Sequence, residues 1–258
     1  MTDTHPPVHF VGAGPGDPDL ITVKGQTLLK SADTIIYAGS LVPEALLKWA
    51  SPQCETLNSA SMTLMEIVDI IDARVQAGKK VVRLHTGDPS LYGAIFEQMA
   101  QLDARSISYG VVPGVTAAFA AAAAMKMEYT LPEVTQTLIL TRLAGRTPVP
   151  EQESLKSLAA HQASMAIYLS ISMVAQVETI LSEAYGPESL CAVAYRVSQP
   201  DEHILKTPIK DLARTVKDND ITRQALIIVG PSVNASPAGL AHVSKLYDAE
   251  FSHGFRSA

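Results

Sequence analysis

Short apolar runs alternate with amphipathic stretches through the first half of the chain, and this alternation restricts the possible folds more than any other feature. Runs at 8–12, 33–37, 54–58, 80–85 and 107–112 have the length of buried strands. Helical patterns follow at about 22–31, 43–50, 63–77, 91–103 and 115–125. Thr22 is placed to start the first helix and Gly78 to stop the third. Strand-then-helix repetition predicts a mostly parallel sheet with helices on both faces. The pattern lapses around 126–134, which reads as a linker. Beyond it, strands are expected near 136–141, 165–170, 190–196, 203–207 and 225–230, with helices near 153–160, 173–184 and 208–217. Gln199-Pro200-Asp201 separates two successive strands and predicts a hairpin, so the second sheet should be mixed. The expected architecture is two α/β domains. The first covers 1–126 with a doubly wound, mostly parallel sheet, the second covers 134–236, and 237–258 forms a mildly helical tail.

Composition narrows the function classes. Hydrophobic residues make up 47% of the 258 positions, enough for a sizeable core. Lys and Arg number 20 against 26 Asp and Glu, a net charge of -6, which argues against a general nucleic-acid binder but leaves room for a local basic pocket. Cys54 and Cys191 are far apart and form no paired motif, so neither a metal site nor a disulfide framework is expected, and free thiols suit a reducing cytoplasm. No pair of the 7 histidines has metal-ligand spacing, so no metal is expected. Met1 to Pro7 carries no basic region followed by an apolar core, so no signal peptide is expected. The small-apolar run within 115–125 is too short to span a bilayer, and no membrane partner is expected.

The chemistry-bearing motifs sit at strand ends. Val8-His9-Phe10-Val11 runs into Gly12-Ala13-Gly14-Pro15-Gly16-Asp17. A glycine loop after a first strand suggests a dinucleotide site, but the third glycine of G-x-G-x-x-G is here Asp17. Pro15 also lacks the N–H that a pyrophosphate would want. The loop therefore suits close backbone approach by a neutral or cationic cofactor such as S-adenosylmethionine. A second strand, Val81-Val82-Arg83-Leu84, leads into His85-Thr86-Gly87-Asp88-Pro89 and then Ser90-Leu91-Tyr92-Gly93. Asp88 thus stands at a strand's carboxyl end, where open α/β sheets bind ligands, although capping the next helix would also explain it. Phe119 followed by Ala120 to Ala124 makes a helix of little bulk, suited to tight packing.

Three motifs in this order resemble the tetrapyrrole (corrin and porphyrin) methylase family: Gly12 to Thr22, Gly87-Asp88-Pro89 with Tyr92-Gly93, and Val112-Pro113-Gly114-Val115-Thr116-Ala117. The resemblance covers nearly the whole chain, to about residue 235. Thr135 to Arg142, Gly145 to Glu151 and Tyr37 to Val42 are similar to one branch that methylates a corrin precursor. The resemblance implies an S-adenosylmethionine-dependent C-methyltransferase, a cofactor cleft between the two domains, and a homodimer. It places Pro15, Gly87, Asp88, Tyr92, Thr116 and Ala117 at the cofactor, with Leu169 and Ala225 contributed by the second domain. The substrate of such an enzyme carries carboxylates, so Arg142 and Arg146, flanking a glycine-containing loop, become candidate clamps, and Arg83 and His85 a further pair. No Ser-His-Asp set or paired carboxylates have convincing spacing; no catalytic residue is assigned, in keeping with catalysis by alignment. The alternatives are a family member acting at a different ring carbon, a nicotinamide-dependent oxidoreductase, and a non-enzymatic tetrapyrrole-binding module.

Overall fold

The computed structural model describes residues 7–235, 244–247, 249, 251–252 and 254–257. The chain divides into two compact units: residues up to Ala120 with Ser198–Pro200, and Ala121–Val197 with Asp201 onward.

In the first unit, β1 (Val8–Gly12), β2 (Thr34–Tyr37), β3 (Glu55–Asn58), β4 (Val81–His85) and β5 (Tyr109–Val112) form one sheet in the order β3-β2-β4-β1-β5. Every neighbouring pair is parallel. The connections carry α1 (Val23–Ser31), α2 (Leu64–Gln76) and α3 (Ile95–Ala104), and α4 (Ala117–Met125) follows β5. Alternation along the strands sorts the core onto two faces. Val11, Val82 and Leu84 pack with Leu29 of α1 on one, and Val8, Phe10 and Ile36 pack with Ile67, Ile71 and Leu102 of α2 and α3 on the other. Burying each such side chain contributes about 1.5–3 kcal/mol. The start of α2 is fixed locally: Thr63 accepts from the Glu66 N–H, and Glu66 accepts from the Thr63 N–H. Such a cap is worth about 1 kcal/mol.

Two helices differ from the sequence expectation. The stretch read as a helix at 43–50 is a 3-10 segment, Glu44–Trp49, which ends in extended Ala50. Ser51 precedes Pro52, and a residue before proline avoids the helical region. The helix read from 91 begins only at Ile95, because Tyr92 (φ 57°) and Ala94 (φ 48°) are left-handed. Gly93 lies between them against Pro89, where a Cβ would stand 2.1 Å from the Pro89 carbonyl oxygen. Apolar periodicity carries no sign of that turn.

In the second unit, β6 (Leu138–Arg142), β7 (Ser164–Tyr168), β8 (Leu190–Tyr195), β9 (His203–Pro208) and β10 (Ala225–Val229) are ordered β6-β7-β10-β8-β9. The β6–β7 pair is parallel and the other pairs are antiparallel, so this sheet is mixed. Strands β8 and β9 form the expected hairpin. Helices α5 (Leu155–Ala159), α6 (Val174–Tyr185) and α7 (Leu212–Asp218) close a core of Met165, Ile167, Leu181, Val193, Leu212 and Ile227. Of the tail expected at 237–258 to be mildly helical, 237–243, 248, 250, 253 and 258 lie outside the described residues, and Lys245–Tyr247 is a single 3-10 turn.

Candidate functional site

Because the first sheet is parallel, the connections after all its strands leave from one edge. Its three neighbouring strands β4, β1 and β5 deliver the three motif loops there, and these loops interlock through backbone. The Ala13 N–H donates to the His85 carbonyl at 2.7 Å, while Gly14 and Gly87 exchange hydrogen bonds of 3.2 and 2.8 Å. A Cβ on Gly12 would fall 2.6 Å from the Gly114 Cα and from the Gly87 oxygen, and one on Gly114 would fall 2.1 Å from that same oxygen. No side chain fits where three backbones meet, so the glycines are required by space. Gly87 needs its freedom for another reason: a Cβ there would make only ordinary contacts, 3.7 Å from the Thr116 Cα and 3.9 Å from the Val115 oxygen, but its φ is 59°.

Asp88 ties the edge together. One carboxylate oxygen accepts the Gly114 N–H at 3.0 Å and the other accepts the Ser90 N–H at 2.8 Å. Asp17, standing in place of a third glycine, caps the 3-10 turn Pro18–Leu20 by accepting from Asp19, and its own N–H donates to the Ser198 hydroxyl at 2.9 Å. Pro15 is buried beside it, Thr116 is buried and Ala117 half-buried at the start of α4, and Tyr92 is exposed on the connection that carries Asp88. The first unit thus brings Pro15, Gly87, Asp88, Thr116 and Ala117 to one edge. With two carboxylates and a missing N–H, the donor set fits a neutral or cationic group rather than a phosphate.

Arg83 and His85 lie beneath this edge. The Arg83 Nε donates to the Gln98 side chain and Nη1 to the Ile36 carbonyl, both at 3.1 Å, and burial lowers its pKa to about 10. His85 is 4% exposed. Its burial, with the Arg83 charge nearby, lowers its pKa to about 3, and its Nε2 has no hydrogen-bond partner among the described residues. At neutral pH this imidazole carries no charge, so it does not supply the cation that the sequence suggested.

The second unit collects its candidates at one edge of its own sheet. Arg142 ends β6 opposite Tyr168, Leu169 follows β7, and Ala225 opens β10 opposite Tyr195. Leu169, Arg196 and Gln224 are left-handed here, with φ between 45° and 54°. Leu169 is 59% exposed. The Arg142 guanidinium turns back onto its own loop, donating to the carbonyls of Thr147 at 3.1 Å and Pro148 at 2.8 Å. That makes it a strut for the loop whose exposed tip carries Arg146.

The role of Gly114 as the third member of the backbone lock was not picked out in the sequence, although it sits inside a quoted motif; the signal was a glycine after a strand-ending proline. Ser198 carried no signal, being remote in sequence from the loop it holds. A cavity of about 680 Å³, bordered by His9, Lys24, Lys79 and Lys80 among others, lies at the amino ends of the first sheet's strands. Open α/β sheets take ligands at the carboxyl ends, so the loop edge is the candidate site.

A parallel sheet with a glycine-locked loop edge, followed by a second, mixed sheet, defines a two-unit α/β class. Residues 7–213 match the family model described as Tetrapyrrole (Corrin/Porphyrin) Methylases, and the chain belongs to that family. It is 50% identical over 257 residues to a cobalt-precorrin-4 C(11)-methyltransferase of Methanocaldococcus jannaschii, covering 99% of this chain and 98% of that one. To a precorrin-4 C(11)-methyltransferase of Pseudomonas aeruginosa it is 47% identical, over 96% of this chain and 98% of the relative. The X-ray structure of a cobalt precorrin-4 methyltransferase, a cobalamin biosynthetic enzyme, superposes with a TM-score of 0.86 at 46% identity, over 88% of this chain and 96% of the other.

Proposed function

We propose that this chain is an S-adenosylmethionine-dependent methyltransferase that methylates C11 of precorrin-4, giving precorrin-5 in cobalamin biosynthesis. The observation that carries the reading is near full-length identity of about half to relatives named for that reaction, joined to a carboxyl-edge lock that suits a non-phosphate cofactor. When bound, S-adenosylmethionine supplies a methyl group on a sulfonium, which an electron-rich ring carbon takes as the C–S electron pair returns to sulfur.

The chain's own contribution is alignment and exclusion of water. Asp88 and the Gly12–Gly87–Gly114 contact hold the loops that carry Pro15, Tyr92, Thr116 and Ala117 toward the cofactor; Leu169 and Ala225 are taken as backbone contacts to it, as the family resemblance implies. Arg142 holds the loop that carries Arg146, and in this reading the Arg146 guanidinium takes a substrate carboxylate. A ring proton is lost after methyl transfer, and no residue is assigned as its base. The reading includes no resident metal; cobalt, where present, belongs to the substrate. It also includes a homodimer, to be checked by sedimentation at micromolar concentration, and a cytoplasmic home that suits the free thiols of Cys54 and Cys191.

The test is incubation with precorrin-4, and separately with cobalt-precorrin-4, in the presence of S-adenosylmethionine labelled with 13C in the methyl group. NMR should place the label on C11 in at least one product. Label on another ring carbon would transfer the chain to a different branch of the family, and binding of NAD(H) in preference to S-adenosylhomocysteine would sink the reading altogether.

A further inference from the structure

Large apolar side chains left exposed in the first unit are unevenly spread. Leu20 and Val23 follow β1, Leu41 follows β2, Leu64 and Met65 follow β3, Tyr92 and Phe96 follow β4, and Phe119 follows β5. Val111, within β5, is the exception among the described residues. Every strand-to-helix connection of a parallel sheet leaves from the same edge. An apolar rim therefore surrounds the edge that carries the backbone lock, where apolar area exposed to water has no structural benefit.

Phe96 is the most exposed aromatic among them, at 79%. It lies in the first turn of α3, whose buried side is Ile95, Gln98 and Leu102, so its ring is not part of the packing that holds the helix. Its position is nonetheless well defined. The two left-handed residues Tyr92 and Ala94, with Gly93 seated on Pro89, set where α3 begins and which way its first turn faces. Left-handed conformations at two L-residues are unfavourable and persist where the surroundings enforce them, commonly at ligand sites. Upstream, the same connection is anchored by Asp88 to Gly114.

We propose that Phe96 is a substrate-positioning residue whose ring takes the apolar face of the tetrapyrrole macrocycle. This rests on the tetrapyrrole reading above and adds a division of labour along one connection: the Asp88 end holds the loop lock at the cofactor, and the Phe96 end carries the acceptor. A macrocycle fits the rim because its centre is flat and apolar while its charge sits on peripheral carboxylates. Aromatic contact then selects the ring, and cations elsewhere select the fringe. A second copy of the chain is the competing occupant, and the experiment separates the two.

Phe96→Ala should raise KM for precorrin-4 about threefold to tenfold, the range expected for loss of one aromatic contact. Affinity for S-adenosylhomocysteine should stay within about twofold, and Phe96→Tyr should recover most of the loss. In a Trp49→Phe chain, Phe96→Trp makes the sole tryptophan a reporter, and precorrin-4 should quench its emission saturably while S-adenosylhomocysteine does not. An unchanged KM in Phe96→Ala overturns the proposal, as does an unquenched tryptophan at saturating precorrin-4. A shift from dimer to monomer with KM unaltered assigns the ring to a subunit contact instead. Saturable quenching by precorrin-4 with no methylation by wild type would leave Phe96 in place and remove the proposed reaction. Kinetics of Phe96→Ala need no second substitution, so the inference stays refutable if the Trp49→Phe chain does not fold.

Discussion

The two units solve the same local problem, a tight turn at the edge of a sheet, in opposite ways. Where the three motif loops of the first sheet meet, the turns are made by glycines, and Gly12 and Gly114 are held by space alone: their Cβ positions are filled by neighbouring backbone. At the second sheet's edge the turns are made by Leu169, Arg196 and Gln224, which keep their side chains and accept a left-handed conformation. A parallel sheet brings loops from distant parts of the chain together, so backbone must pack on backbone. A mostly antiparallel sheet spaces its turns along the edge and leaves room for side chains. The contact of Gly12 and Gly114 is consequently intolerant of an added Cβ, whereas the turns at Leu169, Arg196 and Gln224 store local strain that can be relieved.

The sharpest way to break this comparison is Gly114→Val. Its Cβ would sit 2.1 Å from the Gly87 oxygen and 2.8 Å from the Gly12 Cα, and neither backbone atom can swing away. We expect a loss of about 3 kcal/mol or more in denaturant unfolding, with affinity for S-adenosylhomocysteine lost as well. Gly14→Val is the milder companion. It meets the Leu20 carbonyl oxygen at 3.0 Å with φ 80°, so binding should suffer more than stability. If Gly114→Val melted like wild type, the three-loop lock would not hold in solution.

The arginines of the second unit test whether its loop edge also does chemistry. Arg146→Ala should reduce kcat/KM for precorrin-4 about tenfold to a hundredfold while leaving stability alone, since a charged hydrogen bond is worth roughly 1.5–3 kcal/mol. Arg142→Ala should reduce turnover too, but with a fall in unfolding free energy of about 1–2 kcal/mol, because its two loop carbonyls lose their donor. Arg142→Lys should recover little, since an ammonium cannot span both carbonyls as the planar fork does. Equal behaviour of the two alanine variants would mean that Arg142 acts directly on substrate and is no strut.

The divergence between Arg142 and Arg146 also shows what could be read from the sequence. Apolar runs gave away all ten strands of the described residues, because burial on one or two faces leaves a periodic trace; their alternation with helices gave the parallel first sheet, and Gln199-Pro200-Asp201 the β8–β9 hairpin. Periodicity does not distinguish i+3 from i+4 closure, so Glu44–Trp49 read as an ordinary helix. Motif loops were legible as loops, but their interlock is a contact among residues 12, 87 and 114 that no local pattern encodes. The same limit explains the charged residues. Arg142 and His85 were assigned by charge and by proximity to motifs, yet what decides their chemistry is a loop folding back in one case and burial in the other.

His85 gives the first unit a pH signature. Its folded pKa, near 3, is depressed below the ordinary value of 6.5, so between those values the unfolded chain binds a proton that the native chain does not. Stability then rises with pH across that window and falls as pH drops below about 6.5. The slope for one proton is about 1.4 kcal/mol per pH unit. His85→Gln, which keeps a polar side chain without a titrating ring, should flatten the wild-type loss between pH 6.5 and 5 by about that slope. Parallel stability curves for the two proteins would show that the ring is protonated in the native state or solvated in a way that this burial does not allow.

The smallest effect expected bears most directly on the second unit. Leu169 is exposed and left-handed at φ 54°, a conformation that glycine adopts without penalty. Leu169→Gly should therefore stabilise the protein by about 0.5–1 kcal/mol, after discounting the extra freedom glycine gains in the unfolded chain. The proposed cofactor contact at this position is through backbone, so S-adenosylhomocysteine affinity should persist in the variant. Higher stability with undiminished binding would identify the side chain as dispensable and the strain as the cost of aiming a backbone group. Higher stability with weaker binding would instead assign the contact to the leucine side chain, and the two edges would then differ in more than the room they leave: one would hold its ligand by backbone and the other by side chains. A fall in stability would show that Leu169 is not strained at all, and that the contrast between the edges lies only in the first.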